Sequence, residues 1–350
     1  MAHGEPRTFW VGCTTDGATD VPGIHRCLLD TGSGALHVLG GADGVANPSY
    51  LAFGRQSDVL YAVQETSVAP SVHALRILAD GDLVHEGQQP VSDEAPCHLS
   101  VDPSGRWLAV AAYGHGTVAL YPLDADGRIG DASSVVQHRG RGVHPTRQEG
   151  PHAHAAVFTP DGAELLVPDL GLDEVARYRI SRDGGMEPQP SIRFEPGSGP
   201  RHLVFGQGGR LAYVLNELTS SIALAVRDGE GWSVVQDVPC LPSAYQGENT
   251  AAAIRMAPSA RFLYASNRGH DSIAVFAVDP ASGHLALVEH VATGGATPRD
   301  FAIDPSGRLL VVANQDSGSL VSFWIDPATG RLDATGHTLR LARPACVLMR

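Results

Sequence analysis

The sequence predicts an all-β protein, a seven-bladed β-propeller built of four-stranded antiparallel blades. Three observations predict it. One phrase recurs six times along the chain, its spacing is about 47 residues, and the two ends of the chain supply complementary parts of a seventh copy. No stretch keeps a helical period for a useful length, and the 40 glycines and 24 prolines suit turns between short strands.

The copies follow one another in order. PSYLAFGRQSDVLYAVQE begins at Pro48, PCHLSVDPSGRWLAVAAYGHGTVALY at Pro96 and HAHAAVFTPDGAELLVPDLGLDEVARY at His152. PRHLVFGQGGRLAYVLNELTSSIAL follows from Pro200, AAAIRMAPSARFLYASNRGHDSIAVF from Ala251 and PRDFAIDPSGRLLVVANQDSGSLVSF from Pro298. Each reads as an apolar strand, a D-P-S-G-like turn, a second strand, a polar corner and a third strand, with a more variable fourth strand after it. The segment PACVLMR at Pro344 falls one period after Pro298 and supplies a first strand without its partners. TFWVGCTT and GIHRCLLDTGSGAL, near the other end, supply those partners. Residues 1–350 are therefore expected to form one propeller whose closing blade combines 8–37 with 344–350. The C-terminal strand pairs there with the N-terminal strands and removes the free sheet edges.

Composition narrows the partners. With 38 acidic and 25 basic residues the formal charge is −13, which repels phosphate backbones and anionic lipid, so neither nucleic acid nor a membrane surface is expected as a partner. The N-terminal MAHGEPRTFW lacks a basic stretch followed by an apolar run, and no segment reaches the roughly 20 apolar residues of a membrane span. A soluble cytoplasmic protein is expected; the sequence leaves its oligomeric state open and is compatible with a monomer. The five cysteines are scattered without a C-x-x-C pair, which reads as reduced, buried thiols rather than a disulfide framework or a thiolate zinc site.

The first strand of a propeller blade lines the central channel, so polar residues at its ends are candidates for a site. The interval before the His152 copy is longer than its neighbours by about ten residues, and insertions in repeat proteins gather on one face. The extra loop, RGRGVHPTRQEG, is expected to deliver Arg147, Gln148 and Glu149 to the channel mouth. His152 and His154, two apart on a strand, are expected to share a face. Zinc would need a third ligand that the local sequence does not offer, so no metal is expected, and hydrogen-bonded structural histidines are the competing reading. Further along, Arg201, His202 and Arg299 begin first strands, and Asn216, Glu217, Asn267 and Arg268 end second strands, at equivalent inner positions. Any one of them could be an inter-blade salt bridge. Together they describe a cationic mouth on an acidic protein, suited to a small anionic ligand gripped by guanidinium forks.

These blocks carry a resemblance. RQEGPHAHAAVFTPDG, VPDLGLDEV, GPRHLVF, NEL, SNRGHDSIAVF, TPRDFAIDPSG and ANQDS together resemble the lactonase family of seven-bladed propellers. That family includes bacterial propeller-type 6-phosphogluconolactonases and is similar to a fungal carboxymuconate cyclising enzyme. The resemblance covers essentially the whole chain. It implies a small anionic lactone as substrate, carbohydrate metabolism in the pentose phosphate pathway, and a reacting site at His154, Arg201, Glu217 and Arg268. Arg147, His152, His202, Asn216, Arg299 and Gln315 are expected to bind substrate around it. Glu217 or His154 would deprotonate water, and Arg201 and Arg268 would stabilise the oxyanion. No G-x-S-x-G elbow occurs, and lactone opening needs no cofactor. Ala112, Gln64 and Ala253 depart from residues common in the family at repeat-equivalent inner positions. A cycloisomerase or specialised biosynthetic lactonase on the same scaffold, and a non-catalytic binding platform, are the alternative functions.

Overall fold

The computed structural model describes residues 5–55 and 58–350. Residues 1–4 of the expected domain and 56–57, in the turn of the Pro48 copy, lie outside them. The described chain folds into seven four-stranded antiparallel sheets, the blades of a propeller, numbered here from the blade that holds both ends of the chain.

Blade 1 combines Pro344–Leu348 with Arg7–Cys13, Ile24–Leu29 and Leu36–Ala42, in that order from the channel outward. Val11 pairs with Val347 and Trp10 with Leu348, so the expected closure is present, and the outermost strand runs on to Ala42. Gln315 Nε2 of blade 7 donates across the same seam to Thr14 Oγ1 at 3.1 Å.

Burial explains the sequence pattern. Second strands such as Leu211–Asn216 and Leu309–Asn314 are buried along their whole length because each is covered by a blade on either side. They therefore read as continuous apolar runs. Outer strands such as Gly231–Pro239 alternate between exposed and half-buried. Core clusters bridge adjacent blades, for example Tyr213 and Leu215 with Leu263 and Phe276. Tyr61, Tyr213 and Tyr264 repeat one contact, each donating its hydroxyl to a glycine carbonyl of the next blade: Gly127 at 2.6 Å, Gly283 at 2.8 Å and Gly330 at 2.8 Å.

The D-P-S-G turns of blades 3 and 7 sit at the channel end away from the mouth, where an aspartate closes the hairpin. Asp304 Oδ1 accepts the N–H groups of Arg308 and Leu309 at 2.8 and 2.7 Å, and Asp102 does the same for Arg106 and Trp107 at 2.6 and 2.7 Å. The turn glycines Gly105, Gly162 and Gly307 have φ of 73°, 70° and 71°, a region open to glycine at little cost.

The segment at His152 departs from the expected strand. Regular pairing of the inner strand of blade 4 begins only at Val157, preceded by an isolated bridge between Ala153 and Asp169. His154 N–H donates to Pro168 O at 2.9 Å, but Pro168 has no N–H to return, which breaks the ladder. Among the described residues no helix is long and apolar enough to cross a membrane.

Candidate active site

Two backbone devices aim side chains into the channel. The first is the residue that follows each second strand. Thr14, Glu65, Tyr113, Leu170, Glu217 and Gln315 all donate their N–H to a carbonyl at the start of the same blade's inner strand, at 2.7–3.2 Å. The acceptors include Arg343, Asn47, Gly199 and Thr297, each directly before a proline, which opens the inner strand in blades 1, 5 and 7. Their side chains are therefore presented at one level of the mouth. In blade 6 the equivalent position is Arg268, paired with Thr250.

The second device is a β-bulge. Pro200 pairs with Asn216 and His202 with Leu215, so Arg201 has no opposite residue. Cys97, Arg299 and Ala345 are left over in the same way in blades 3, 7 and 1. A bulge re-aims the side chain of its extra residue. Here it turns Arg201 toward Glu217.

Glu217 is the centre of the site. Arg147 Nη2 lies 2.5 Å from its Oε1, while Arg201 Nε and Arg268 Nη2 each lie 3.0 Å from Oε2, and His154 Nε2 lies 3.9 Å from Oε2. The Glu217 and Arg201 side chains are each only 3% exposed. Neither Glu217 Oε2 nor Arg201 Nε makes an aligned hydrogen bond, despite their proximity. Arg201 Nη1 donates instead to Ala252 O, and Arg268 Nη2 to Ala251 O at 3.2 Å. Three guanidinium groups thus face one carboxylate. The surplus is positive and buried, which is costly unless an anion completes it.

The electrostatics follow from that surplus. Burial pushes the Glu217 carboxyl upward, but Arg268, Arg201, His154 and Arg147 outweigh it and hold the group far below the ordinary carboxylate range. Burial and then Arg201 hold His154 well below the usual imidazole value. Arg201 is pushed down to about 9 by burial and by Arg268, which still leaves it protonated at neutral pH. The resting site therefore holds a carboxylate, charged arginines and a neutral imidazole.

The surroundings are shared between expected and unexpected residues. His152 Nδ1 bonds to Tyr113 O at 2.8 Å and its ring stacks on Tyr113 at 4.3 Å, so it braces Tyr113, which is also 3.5 Å from Arg147. His202 lies one layer deeper, its ring 5.6 Å from that of His154 and 5.4 Å from that of His98. Cys97 Sγ packs 3.7 Å from His154 Nδ1, and burial pushes its thiol far up, so it is an inert neighbour. Arg299 pairs loosely with Glu65 at 3.7 Å. Asn216 lies outside the cluster: its Nδ2 donates to Ser221 Oγ at 3.1 Å inside the blade, because neighbours along a strand face opposite ways and Glu217 takes the channel side.

The inserted loop delivers Arg147 but not its neighbour. Gln148 is fully buried; its Oε1 accepts the N–H groups of Val143 and His144, and its Nε2 donates to Leu170 O and Asp173 Oδ1 at 2.8 and 2.7 Å. Asp173 in turn accepts the N–H groups of Gly197 and Gly199 at 2.7 and 2.9 Å. This clamp ties the Arg147 loop to the strand that carries Arg201. Glu149 stays at the surface, 3.6 Å from His152.

Tyr113, Cys97, Glu65, His98 and Asp173 were not singled out from sequence. Alignment of the second-strand ends would have found Glu65 and Tyr113, and alignment of the bulge positions Cys97. Asp173 carries no such signal, because its partners, the Gln148 amide and the Gly197 and Gly199 N–H groups, lie more than twenty residues away on either side. Among the described residues no group of three or more His, Cys, Asp or Glu side chains is arranged to hold a metal ion.

The arrangement can bind an anion, stabilise negative charge on oxygen and accept a proton from water. Known proteins of similar sequence and shape carry names that suit this chemistry. The model of the family described as "Lactonase, 7-bladed beta-propeller" matches residues 8–349. A 6-phosphogluconolactonase of Bacillus subtilis is 37% identical over 298 residues, 84% of each chain. A 6-phosphogluconolactonase of Formosa agariphila is 33% identical over 305 residues, 85% of this chain and 86% of the relative. Among solved structures, a periplasmic gluconolactonase of Pseudomonas aeruginosa superimposes with a TM-score of 0.93 at 33% identity, covering 98% of each chain.

Proposed function

We propose, from the premise that this chain belongs to the seven-bladed β-propeller lactonase family, that its substrate is a sugar lactone bearing an anionic group, foremost a phosphorylated six-carbon lactone. The chain is a lactone hydrolase. The observation that carries the finer reading is the convergence of Arg147, Arg201 and Arg268 on the single carboxylate of Glu217.

Hydrolysis adds water to the lactone carbonyl and expels the ring oxygen. In our reading Arg201 and Arg268 face the carbonyl oxygen and hold the charge that develops there, where buried donors act most strongly. Arg147, the most exposed of the three, grips the anionic substituent. His154 is neutral and takes the proton of the attacking water, while Glu217 stabilises the imidazolium that forms. The imidazolium then returns its proton to the leaving alkoxide, so the site ends as it began.

The resting pairs explain why the site waits for substrate. Glu217 is a poor base while three arginines hold it, and His154 is weakened by burial and then by Arg201. A bound anion offsets the charge of the arginines and so favours the imidazolium, while Glu217 stays ionised to stabilise it.

The test is the hydrolysis of freshly generated 6-phosphoglucono-δ-lactone above its spontaneous decay, beside unphosphorylated glucono-δ-lactone, for the wild type and Arg147→Ala. Preference for the phosphorylated lactone, reduced in the variant chiefly through KM, supports the reading. Equal rates for both lactones would overturn the phosphate assignment. On this reading the protein serves the pentose phosphate pathway. We also place it in the cytoplasm, because all five cysteines are free and buried, the pattern of a reducing compartment.

A further inference from the structure

The mouth holds a second carboxylate that the mechanism above does not use. Glu65 occupies in blade 2 the position that Glu217 occupies in blade 5: each follows a second strand, and each donates its N–H to the carbonyl just before a proline at or ahead of the inner strand, Asn47 for Glu65 and Gly199 for Glu217. The two carboxylates therefore face the same mouth from different blades. Their surroundings differ. Glu217 is crowded by three guanidinium groups, whereas Glu65 has one, Arg299 Nη2, at 3.7 Å. That distance is beyond a hydrogen bond.

Glu65 Oε2 is buried and has no hydrogen-bond donor among the described residues. A buried acceptor left unmade is costly, and an ionised one more so. The position of the residue is nonetheless firmly fixed, since Asn47 Nδ2 donates to Glu65 O at 3.0 Å in addition to the N–H bond. These bonds fix the backbone that carries the carboxylate; the side chain is 26% exposed and so within reach of a donor from outside the protein.

We propose that Glu65, oriented by Arg299, is a specificity-determining residue that accepts hydrogen bonds from the hydroxyl groups of a polyhydroxylated lactone. This rests on the lactonase reading and adds to it the part of the substrate that the arginines cannot read. The arginine cluster selects negative charge. A carboxylate repels that charge and selects O–H donors. The two together fit a ligand that is anionic at one end and rich in hydroxyls along its ring. A site built to accept from a hydroxyl discriminates strongly against an analogue without it, because the buried acceptor is then left unpaired.

The experiment compares glucono-δ-lactone with δ-valerolactone, the same ring without hydroxyls, in the wild type, Glu65→Ala and Glu65→Gln. Glu65→Ala is expected to lose at least tenfold in kcat/KM on glucono-δ-lactone, mainly through KM, and to change little on δ-valerolactone. Glu65→Gln keeps an acceptor oxygen and is expected to recover part of the loss. Equal losses on both lactones, or no loss on either, would overturn the proposal.

Calorimetric binding of gluconate against hexanoate, in the same three proteins, separates this proposal from the hydrolase reading. A preference for gluconate that collapses in Glu65→Ala supports the role of Glu65 even if neither lactone is turned over. A preference unchanged in that variant overturns it. Circular dichroism of each variant identifies losses that arise from unfolding.

Discussion

Two buried carboxylates at opposite ends of the propeller show how the same chemical group can close a structure or open a site. Asp304, in the turn of blade 7, is fully buried, and its oxygens accept N–H groups from Ser306, Arg308 and Leu309 at 3.1, 2.8 and 2.7 Å. Its donors are neutral groups of its own turn, these backbone N–H groups and the Ser306 hydroxyl at 2.5 Å. Glu217, in the mouth, has no such set for its side chain. Its partners are guanidinium groups on flexible stems, one oxygen lacks an aligned hydrogen bond, and the local charge is left positive. The turn is finished within the chain; the mouth is finished only by a ligand.

The largest expected effect separates the two sites. Glu217→Gln should lower kcat/KM on the order of 10³-fold, the range for losing a charged group of an acid–base site, measured by steady-state kinetics on the lactone that the wild type prefers. Asp304→Ala should leave kcat per folded molecule unchanged and lower stability by about 2–3 kcal/mol, read from urea unfolding, because several buried N–H groups lose their acceptor. Equal losses of activity in both would break the comparison.

Acid should reach the mouth first. His98 is pushed down to about 3 by burial and by Arg255, and His154 and His202 are also held well below their usual value by burial and Arg201. Their folded values lie below the unfolded value of about 6.5, so as pH falls the unfolded chain takes up protons first. The stability they contribute is present above pH 6.5 and is lost as pH falls below it. Each such group steepens the loss by about 1.4 kcal/mol per pH unit. His98→Asn should remove one proton from that slope, measured by urea unfolding between pH 6.5 and 5. An unchanged slope would show that His98 is not held neutral.

The smallest effects concern backbone strain. Ala260, in the turn of blade 6, and Ala95, before the inner strand of blade 3, both have φ of 55°, disfavoured for a residue with Cβ. Ala260→Gly should raise stability by up to about 0.5 kcal/mol, the relief being partly offset by greater freedom of the unfolded chain, and leave kinetics unchanged. Ala95→Gly should give a similar gain but raise KM, because Ala95 O accepts from Tyr113 N–H at the mouth. Thermal unfolding and steady-state kinetics of the pair decide whether mouth strain serves the site.

The seven blades were legible because the turn residues and the buried second strands impose the same phrase in every copy. The seam was legible because Pro344–Arg350 repeats the start of that phrase. His154, Arg201, Glu217 and Arg268 stood out as charges where a stable repeat could have small residues, and the fold brings all four together. Two neighbours misled. Asn216 was read with Glu217 although strand alternation sends them opposite ways, and Gln148 was read with Arg147 although its amide is consumed by four backbone and side-chain partners. What the sequence hid was the bulge, a feature of pairing register rather than of residue type.

That bulge has a consequence for how such a protein can change. Because the backbone decides where the second residue of an inner strand is aimed, the identity of that residue is free to vary without disturbing the ladder. Cys97, Arg201, Arg299 and Ala345 occupy this position in four blades, and they span a thiol, two cations and a methyl group. Direction and chemistry are thus inherited separately. The same pairing carries three kinds of side chain in four blades, each set at the start of an inner strand.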